Sequence, residues 1–172
     1  MIYYMIAIIV FISDQVAKRL IVVYMTEGES ISVIGDFFRL TSHRNRGAAF
    51  GILQEQRWFF IAVTTVIVIG IIWYLQKLRK DNSKTLLKTA LSLLLGGALG
   101  NFIDRALFGE VVDFMHFHFV FSLLGWDVDY NFAIFNLADS GIVIGVALIF
   151  LDSLLTWRKE RRGLVHEQEE AH

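Results

Sequence analysis

Four long apolar stretches divide this chain into membrane-length segments. The cleanest is residues 58–75, where 18 consecutive residues carry no charge. Crossing a bilayer core of about 30 Å takes roughly 20 mostly apolar residues in a helix. The pattern predicts an all-α membrane protein, one integral domain over residues 1–172, with four transmembrane helices. Their approximate bounds are 2–25, 58–76, 88–107 and 132–155.

Two of the intervening segments have a different pattern, which favours β-strands. Residues 30–41 are rich in β-branched and aromatic side chains, and residues 111–123 place Phe117, Phe119 and Phe121 at every second position. That alternation is typical of a strand. We therefore expect a small extracytoplasmic β platform that rests on the membrane surface.

Composition supports a membrane protein and narrows the chemistry. The chain is 55% hydrophobic and 19% charged, against about 45–50% and about 25% in soluble domains. It contains no cysteine, which excludes disulfides, thiolate metal sites and a cysteine nucleophile. A net charge of -1 gives no global positive field for nucleic acid. Any catalysis must use oxygen or imidazole groups.

The placement of basic residues predicts the orientation. Lys and Arg concentrate in residues 76–88 and after Trp157, and cytoplasmic segments carry such an excess. We predict that residues 77–87, residues 157–172 and both termini are cytoplasmic, with residues 26–57 and 109–131 outside. Four outward arginines oppose this, namely Arg39, Arg44, Arg46 and Arg57. The loop over residues 109–130 has no Lys or Arg, and this absence favours the predicted orientation.

Charged residues also interrupt the apolar stretches, at a cost of about 2.5–3.5 kcal/mol each at mid-membrane. Asp14 and Lys18 are spaced i, i+4 and share a helix face. Two interpretations are open, a mutual ion pair that permits insertion and a direct role at a substrate site. Asn101, Asp104 and Arg105 are spaced i, i+3, i+4 and predict a polar cleft at the end of the third helix.

Two further carboxylates belong to the same end of the predicted bundle. Asp113 follows the third helix by a few residues, and Asp139 lies in the first turns of the fourth, with Asn136 three residues before it. Carboxylates held together in a low-dielectric cleft share a proton, as in aspartic proteases. A catalytic dyad, a structural pair and a proton relay all fit this spacing.

Other chemistries find less support. His116 and His118 would share one strand face near Asp113, which allows a metal site, but an amphipathic strand explains them equally well. The chain lacks the H-E-x-x-H motif of zinc proteases and the G-x-S-x-G motif of serine hydrolases. Gly96 and Gly97 are surrounded by leucines and predict close helix packing rather than a phosphate loop. We expect no metal, no cofactor and no nucleic acid.

Five sequence blocks together resemble the bacterial lipoprotein signal peptidases (signal peptidase II). They extend over most of the chain in the order of the four helices. The blocks are Asp14 with Lys18, residues 45–51 (NRGAAFG), 96–105 (GGALGNFIDR), 109–114 (GEVVDF) and 135–139 (FNLAD).

The resemblance implies an aspartic endopeptidase of the bacterial cell membrane. Its catalytic residues would be Asp113 and Asp139, and its substrate a diacylglyceryl-modified prolipoprotein cut on the amino side of the lipidated Cys. Membrane lipid would surround the enzyme, and the active site would lie near the outer face. By position, the resemblance further implies substrate-binding or dyad-supporting roles for Asn45, Asn101, Arg105 and Asn136. It implies structural or supporting polar roles for Asp14, Lys18 and Asp104.

Two hypotheses from other functional classes compete with this one. A proton-coupled transporter or channel subunit would use Asp14, Asp104, Asp113 and Asp139 as a relay through the membrane depth. A non-catalytic lipid-binding scaffold would need neither Asp113 nor Asp139. Because Asp113 and Asp139 are both expected at one membrane face, the pattern favours the enzyme hypothesis.

Overall fold

The computed structural model describes residues 2–47, 56–123 and 125–170, with side-chain environments for all of these except 123 and 163–170. It contains four α-helices, a four-stranded sheet and one short 3₁₀ turn. In chain order these are α1 (Ile2–Tyr24), β1 (Ser30–Ile34), β2 (Phe38–Asn45), α2 (Arg57–Lys77), the 3₁₀ turn (Asn82–Lys84), α3 (Thr85–Leu107), β3 (Val111–Leu123), β4 (Trp126–Asn131) and α4 (Leu137–Glu170).

Helix α3 is the centre of the bundle and packs against α1, α2 and α4. In the most apolar part of α3 61% of the residues are buried, against 11% in α2 and 11% in α4. Glycines allow its close approach to two neighbours. A Cβ on Gly96 would lie 2.5 Å from the Ala7 carbonyl oxygen of α1, and one on Gly97 would overlap the Ala138 carbonyl oxygen of α4. The predicted packing role of these glycines is confirmed.

Among the described residues, three helical segments are long and apolar enough to cross a membrane. They are Arg57–Lys77, Asn82–Leu107 and Leu137–Arg162. Helix α1 has 23 residues, which is also sufficient length, but it carries Asp14, Lys18 and Arg19. The structure therefore shows three candidate membrane helices and a fourth helix whose insertion depends on how its charges are neutralised.

The predicted small sheet is confirmed, with more strands than expected. It is antiparallel in the order β1-β2-β3-β4. Residues 30–41 form most of a hairpin rather than one run, because the chain turns at Gly35, whose φ of 49° suits glycine. Strand β4 was not predicted, although its sequence alternates apolar and polar residues (WDVDYN). It pairs with the outer half of β3.

The fourth helix begins at Leu137 rather than 132, because the residues before it extend the sheet contacts. Phe132 donates its amide to the Phe117 carbonyl at 2.9 Å, and Phe135 donates to the Met115 carbonyl at 3.1 Å. The helix also continues to Glu170, beyond the expected end at 155. Helix α3 starts at Thr85, three residues before the expected 88. The hydrogen bonds of Phe132 and Phe135 with β3 fix the first turn of α4 beside that strand.

Candidate active site

Asp113 is held on β3 by two side-chain amides. Helix α3 ends at Leu107, and Gly109 two residues later has a φ of 82°, which lets the chain reverse into β3. Asp113 then faces Asn45 of β2, which donates from Nδ2 to Asp113 Oδ2 at 2.8 Å. Asn136 Nδ2 donates to Asp113 Oδ1 at 2.6 Å. The aspartate is only 1% exposed, so both oxygens depend on protein donors.

Asp139 lies in the first turn of α4 and forms a reciprocal cap with Asn136. The Asp139 amide donates to Asn136 Oδ1 at 2.9 Å, and the Asn136 amide donates to Asp139 Oδ2 at 3.2 Å. This is the capping-box arrangement, which satisfies two helix-end donors. Asn101 of α3 donates from Nδ2 to Asp139 Oδ1 at 2.7 Å. A carboxylate in the first turn is further stabilised by the helix dipole.

Asn136 therefore joins the two aspartates directly. It is fully buried, with 0% of its surface exposed. The sequence predicted a shared helix face for Asn136 and Asp139, but Asn136 precedes the helix and caps it. That position frees its side-chain amide to reach Asp113. The structure thus brings Asp113, Asp139, Asn45, Asn101 and Asn136 into one hydrogen-bonded group.

The electrostatics of this group favour a single shared proton. Burial raises the pKa of Asp113 to about 7, and the negative charge of Asp139 contributes in the same direction. Hydrogen bonds from Asn45 and Asn136 oppose the rise. At neutral pH a large share of the molecules therefore carries a proton on Asp113 beside Asp139. The pair can accept one proton and donate another.

A buried ion cluster around Lys18 contacts the hydrogen-bonded group of the two aspartates through Asn101. Lys18 Nζ lies 2.7 Å from Asp14 Oδ2 and 2.8 Å from Asp104 Oδ2, and it donates to Asn101 Oδ1 at 2.9 Å. Three oxygens match the three protons of an ammonium group. Lys18, Asp14 and Asp104 are each no more than 3% exposed. The ion pair between Asp14 and Lys18, one of the two interpretations of their i, i+4 spacing, is present.

Asp14 also reaches the fourth helix. It accepts the Ala138 amide of α4 at 2.9 Å, which satisfies one of the otherwise unpaired donors at that helix end. The cluster consequently fixes α1, α3 and the start of α4 relative to one another. Asn101 is the link between the cluster and Asp139.

Arg105, the third residue of the predicted polar stripe, makes its hydrogen bond with the segment that follows β2. Its Nη2 donates to the Gly47 carbonyl at 3.1 Å, and its guanidinium lies 4.6 Å from the centre of the Phe60 ring. Arg105 thus anchors the end of the 45–51 segment that the structure describes. Residues 48–51 of that segment lie outside the described residues.

The two strand histidines have separate partners. His116 Nδ1 lies 3.2 Å from Thr41 Oγ1, and His118 Nε2 lies 2.7 Å from Asp129 Oδ1. Among the described residues, no group of three or more His, Asp or Glu side chains could hold a metal ion.

Two residues of this region escaped the sequence prediction. Gln15 donates to Asp104 Oδ1 at 3.0 Å and to the Gly100 carbonyl at 3.2 Å. The feature of the sequence that could have indicated Gln15 was its position beside Asp14 on α1. Glu110 pairs with Arg46 at 3.0 Å and lies 3.7 Å from Arg44. Two of the four opposing arginines are therefore paired with an acid on the same side of the bundle.

Comparison with known proteins gives an independent identification. The family model described as Signal peptidase (SPase) II matches residues 6–155. The lipoprotein signal peptidase of Brevibacillus brevis is 53% identical over 159 residues, which cover 92% of this chain and 99% of the relative. That of Bacillus subtilis is 48% identical over 162 residues, with coverage of 94% and 99%.

Solved structures agree with the sequence relatives. A bacterial membrane enzyme determined by the in meso method at 2.3 Å is 44% identical, with a TM-score of 0.76 over 88% of this chain and 87% of that chain. A second such structure, at 1.9 Å, has a TM-score of 0.72 at the same identity and covers 88% and 92%. The chain belongs to the signal peptidase II family and is therefore a membrane-embedded peptidase.

Proposed function

We propose that this protein removes signal peptides from prolipoproteins as an aspartic endopeptidase. It cuts on the amino side of the diacylglyceryl-modified Cys, with Asp113 and Asp139 as its catalytic residues. The observation that carries the proposal is the bridge from Asn136 to both carboxylates, with the pKa of Asp113 raised to about 7. Two carboxyl groups that share one proton are the requirement of metal-independent, water-mediated peptide hydrolysis.

The environments of the two aspartates suggest their starting roles. Asp113 is the more buried, and its pKa of about 7 keeps a large share of the molecules protonated at neutral pH, so it donates to the scissile carbonyl oxygen. Asp139 is partly exposed and lies at a helix N-terminus, where the helix dipole stabilises negative charge, so it acts as the base that takes a proton from water. The hydroxide so formed adds to the carbonyl carbon and gives a neutral tetrahedral diol.

Collapse of the diol completes the reaction with a balanced proton count. Asp139 gives its proton to the leaving nitrogen, and the C–N bond breaks. One diol hydroxyl returns its proton to Asp113 as the new carboxylic acid forms. Each aspartate ends the cycle in its starting state, so the cycle consumes one water per bond cut.

The supporting residues divide between the dyad and the substrate. Asn45, Asn101 and Asn136 hold the carboxylate oxygens through the hydrogen bonds described above. Arg105 holds Gly47 through its carbonyl oxygen and in this proposal also positions the peptide. Asp14, Lys18 and Asp104 maintain the orientation of Asn101. No cofactor takes part in this scheme.

The enzyme crosses the bacterial cell membrane four times in this proposal, as one domain. Helix α1 can enter because its charged pair lies on the buried face toward α3, together with Ala7 and Ile21. Apolar residues cover the opposite face, for example Ile8, Ile9 and Ile12, which are 51–60% exposed. Basic residues after α2 and in the α4 tail keep both termini cytoplasmic. The dyad then lies near the outer face, where water is available.

The acyl chains of the substrate set the depth of the scissile bond. Each buried CH₂ contributes about 0.8 kcal/mol to membrane anchoring, and small misplacement from a reactive geometry costs on the order of 10²-fold in rate. A lipidated precursor should therefore be cut much faster than an unlipidated one.

The test is the initial rate of purified protein on matched lipidated and unlipidated prolipoproteins in the same detergent micelles. We expect cleavage of the lipidated form at the amino side of its Cys, located by mass spectrometry of the products. Equal rates on the two precursors would reject the lipoprotein substrate and leave a general membrane protease. No cleavage of either would reject the activity.

A further inference from the structure

A cavity lies beside the Lys18 cluster, at the junction of α1, α3 and the sheet. Its volume is about 270 Å³, and its polar lining consists of Gln15, Lys18, Arg19, Arg44, Asp104 and Glu110. Among the described residues that line it, neither Asp113 nor Asp139 is included. The cavity is therefore separate from the dyad. Lys18 is common to both regions, because it lines the cavity and also holds Asn101, which contacts Asp139.

The charges in this cavity leave one arginine available. Lys18 is occupied by Asp14, Asp104 and Asn101. Arg44 donates to Ser42 Oγ at 3.2 Å and lies 3.7 Å from Glu110, which Arg46 contacts more closely. Arg19 has no hydrogen-bond or ion-pair partner within the part of the chain that the structure describes. The free charge at this site is positive.

The depth and the apolar rim of the cavity suggest a lipid neighbour. Arg19 lies five residues before the end of α1 at Tyr24, which is roughly 7.5 Å along the helix axis. From that depth an arginine side chain reaches the headgroup level by extending along the helix. Val22 and Phe108 also line the cavity, and Phe108 is 71% exposed. The opening thus combines a cationic group with an apolar surface that faces the bilayer.

We infer that this cavity binds the phosphate of a bilayer phospholipid, with Arg19 as the phosphate ligand and the acyl chains against Val22 and Phe108. Guanidinium groups bind phosphate through paired hydrogen bonds. The diacylglyceryl group of the proposed substrate has no phosphate, so the site selects a resident lipid over the substrate lipid. The inference rests on the proposed function only in placing α1 within the membrane.

The test measures binding of dioleoylphosphatidylglycerol to the full chain in detergent by native mass spectrometry. Loss of one arginine–phosphate contact near a membrane surface should raise the Kd of the first bound lipid at least about fivefold in Arg19→Gln. The matched control is Arg79→Gln, an exposed arginine at the other end of the bundle, for which we expect a change under about twofold. Dioleoylglycerol, which has the same chains and no phosphate, should bind wild type and Arg19→Gln alike.

Several outcomes would overturn the inference. They are an unchanged Kd in Arg19→Gln, an equal loss in Arg79→Gln, or displacement of the lipid by millimolar inorganic phosphate, which would indicate a free-phosphate site. Arg19 is exposed, so its replacement leaves the core intact. Wild-type protein that binds the lipid but cleaves no prolipoprotein would contradict the proposed function alone. Protein that cleaves but shows no arginine-dependent binding would contradict this site alone.

Discussion

Asn136 is the residue whose contacts decide whether two aspartates become one chemical unit. Its spacing from Asp139 was enough to predict their hydrogen bond. Its contact with Asp113 joins residues 23 positions apart, which periodicity cannot reveal because that contact depends on how β3 lies against the start of α4. The same limit applies to Arg105, whose partner Gly47 comes from a distant segment. Residue types and local spacing were predictable, whereas cross-element partners were not.

Replacing Asn136 with Ala should lower kcat by about 10–100-fold. The substitution removes the side-chain bond that Asn136 donates to the Asp113 carboxyl group and the bond that it accepts from the Asp139 amide. A hydrogen bond to a charged group contributes roughly 1.5–3 kcal/mol. The matched control is Asn131→Ala, an exposed amide at the end of β4, which should retain its rate. The measurement is single-turnover cleavage of a lipidated prolipoprotein by variants that remain folded in detergent. A rate for Asn136→Ala within about twofold of wild type would contradict the bridge.

The raised pKa of Asp113 predicts that activity falls at alkaline pH. Above about pH 7 the proton on Asp113 is lost, and with it the donor to the carbonyl oxygen. The stability of the fold changes in the same direction. A carboxyl group whose pKa is raised above its ordinary value of 3.8 contributes stability that is fully present below pH 3.8 and is lost as the pH rises through about 7. The measurement is kcat/KM from about pH 5 to about pH 9. A flat profile through pH 8 would be inconsistent with this role.

Among the elements, the helices were the most predictable and the strands the least. Long apolar runs indicated all four helices, since membrane length is a strong constraint. The start of α4 was missed because residues 132–135 are apolar yet pair with β3, and hydrophobicity does not distinguish a buried strand partner from a helix turn. Strand β4 has the alternating pattern, but only six residues carry it.

Gly97→Ala should separate α3 from α4 and lower both stability and activity. An added Cβ would overlap the Ala138 carbonyl oxygen, in the turn that carries Asp139. Overpacking of this kind costs about 1–3 kcal/mol. Gly70→Ala in α2 is the control, because a Cβ there meets nothing within 4 Å. Thermal unfolding in detergent and initial cleavage rates measure the effect. Equal behaviour of the two variants would show that this contact does not position Asp139.

At the scale of the whole molecule, one buried cluster ties three helices to the candidate active site. Lys18 pairs with both Asp14 and Asp104 in the buried interior between α1 and α3. This arrangement does not favour the proton relay, because a relay needs acids that exchange protons along the membrane depth. The sequence predicted the polar residues of the cluster, but their three-way contact follows from the packing of α1 against α3.

Basic residues predict the orientation of the whole chain. A reporter fused after Lys80 or Arg162 should indicate the cytoplasm, and one inserted near Asp127 should indicate the outside. The ion pairs of Glu110 with Arg46 and Arg44 reduce the opposing charge of two outward arginines. Finding Asp127 in the cytoplasm would place the dyad on the wrong face for exported substrates.

The most direct test of the account is cleavage of a lipidated prolipoprotein by Asp113→Asn and Asp139→Asn, each purified in folded form. An amide cannot cycle a proton, so we predict that both variants lose turnover to the detection limit. The exposed Asp127→Asn variant on β4 is the control and should cleave at the wild-type rate. Turnover within about tenfold of wild type in either dyad variant would contradict the assignment of these two residues as the catalytic pair.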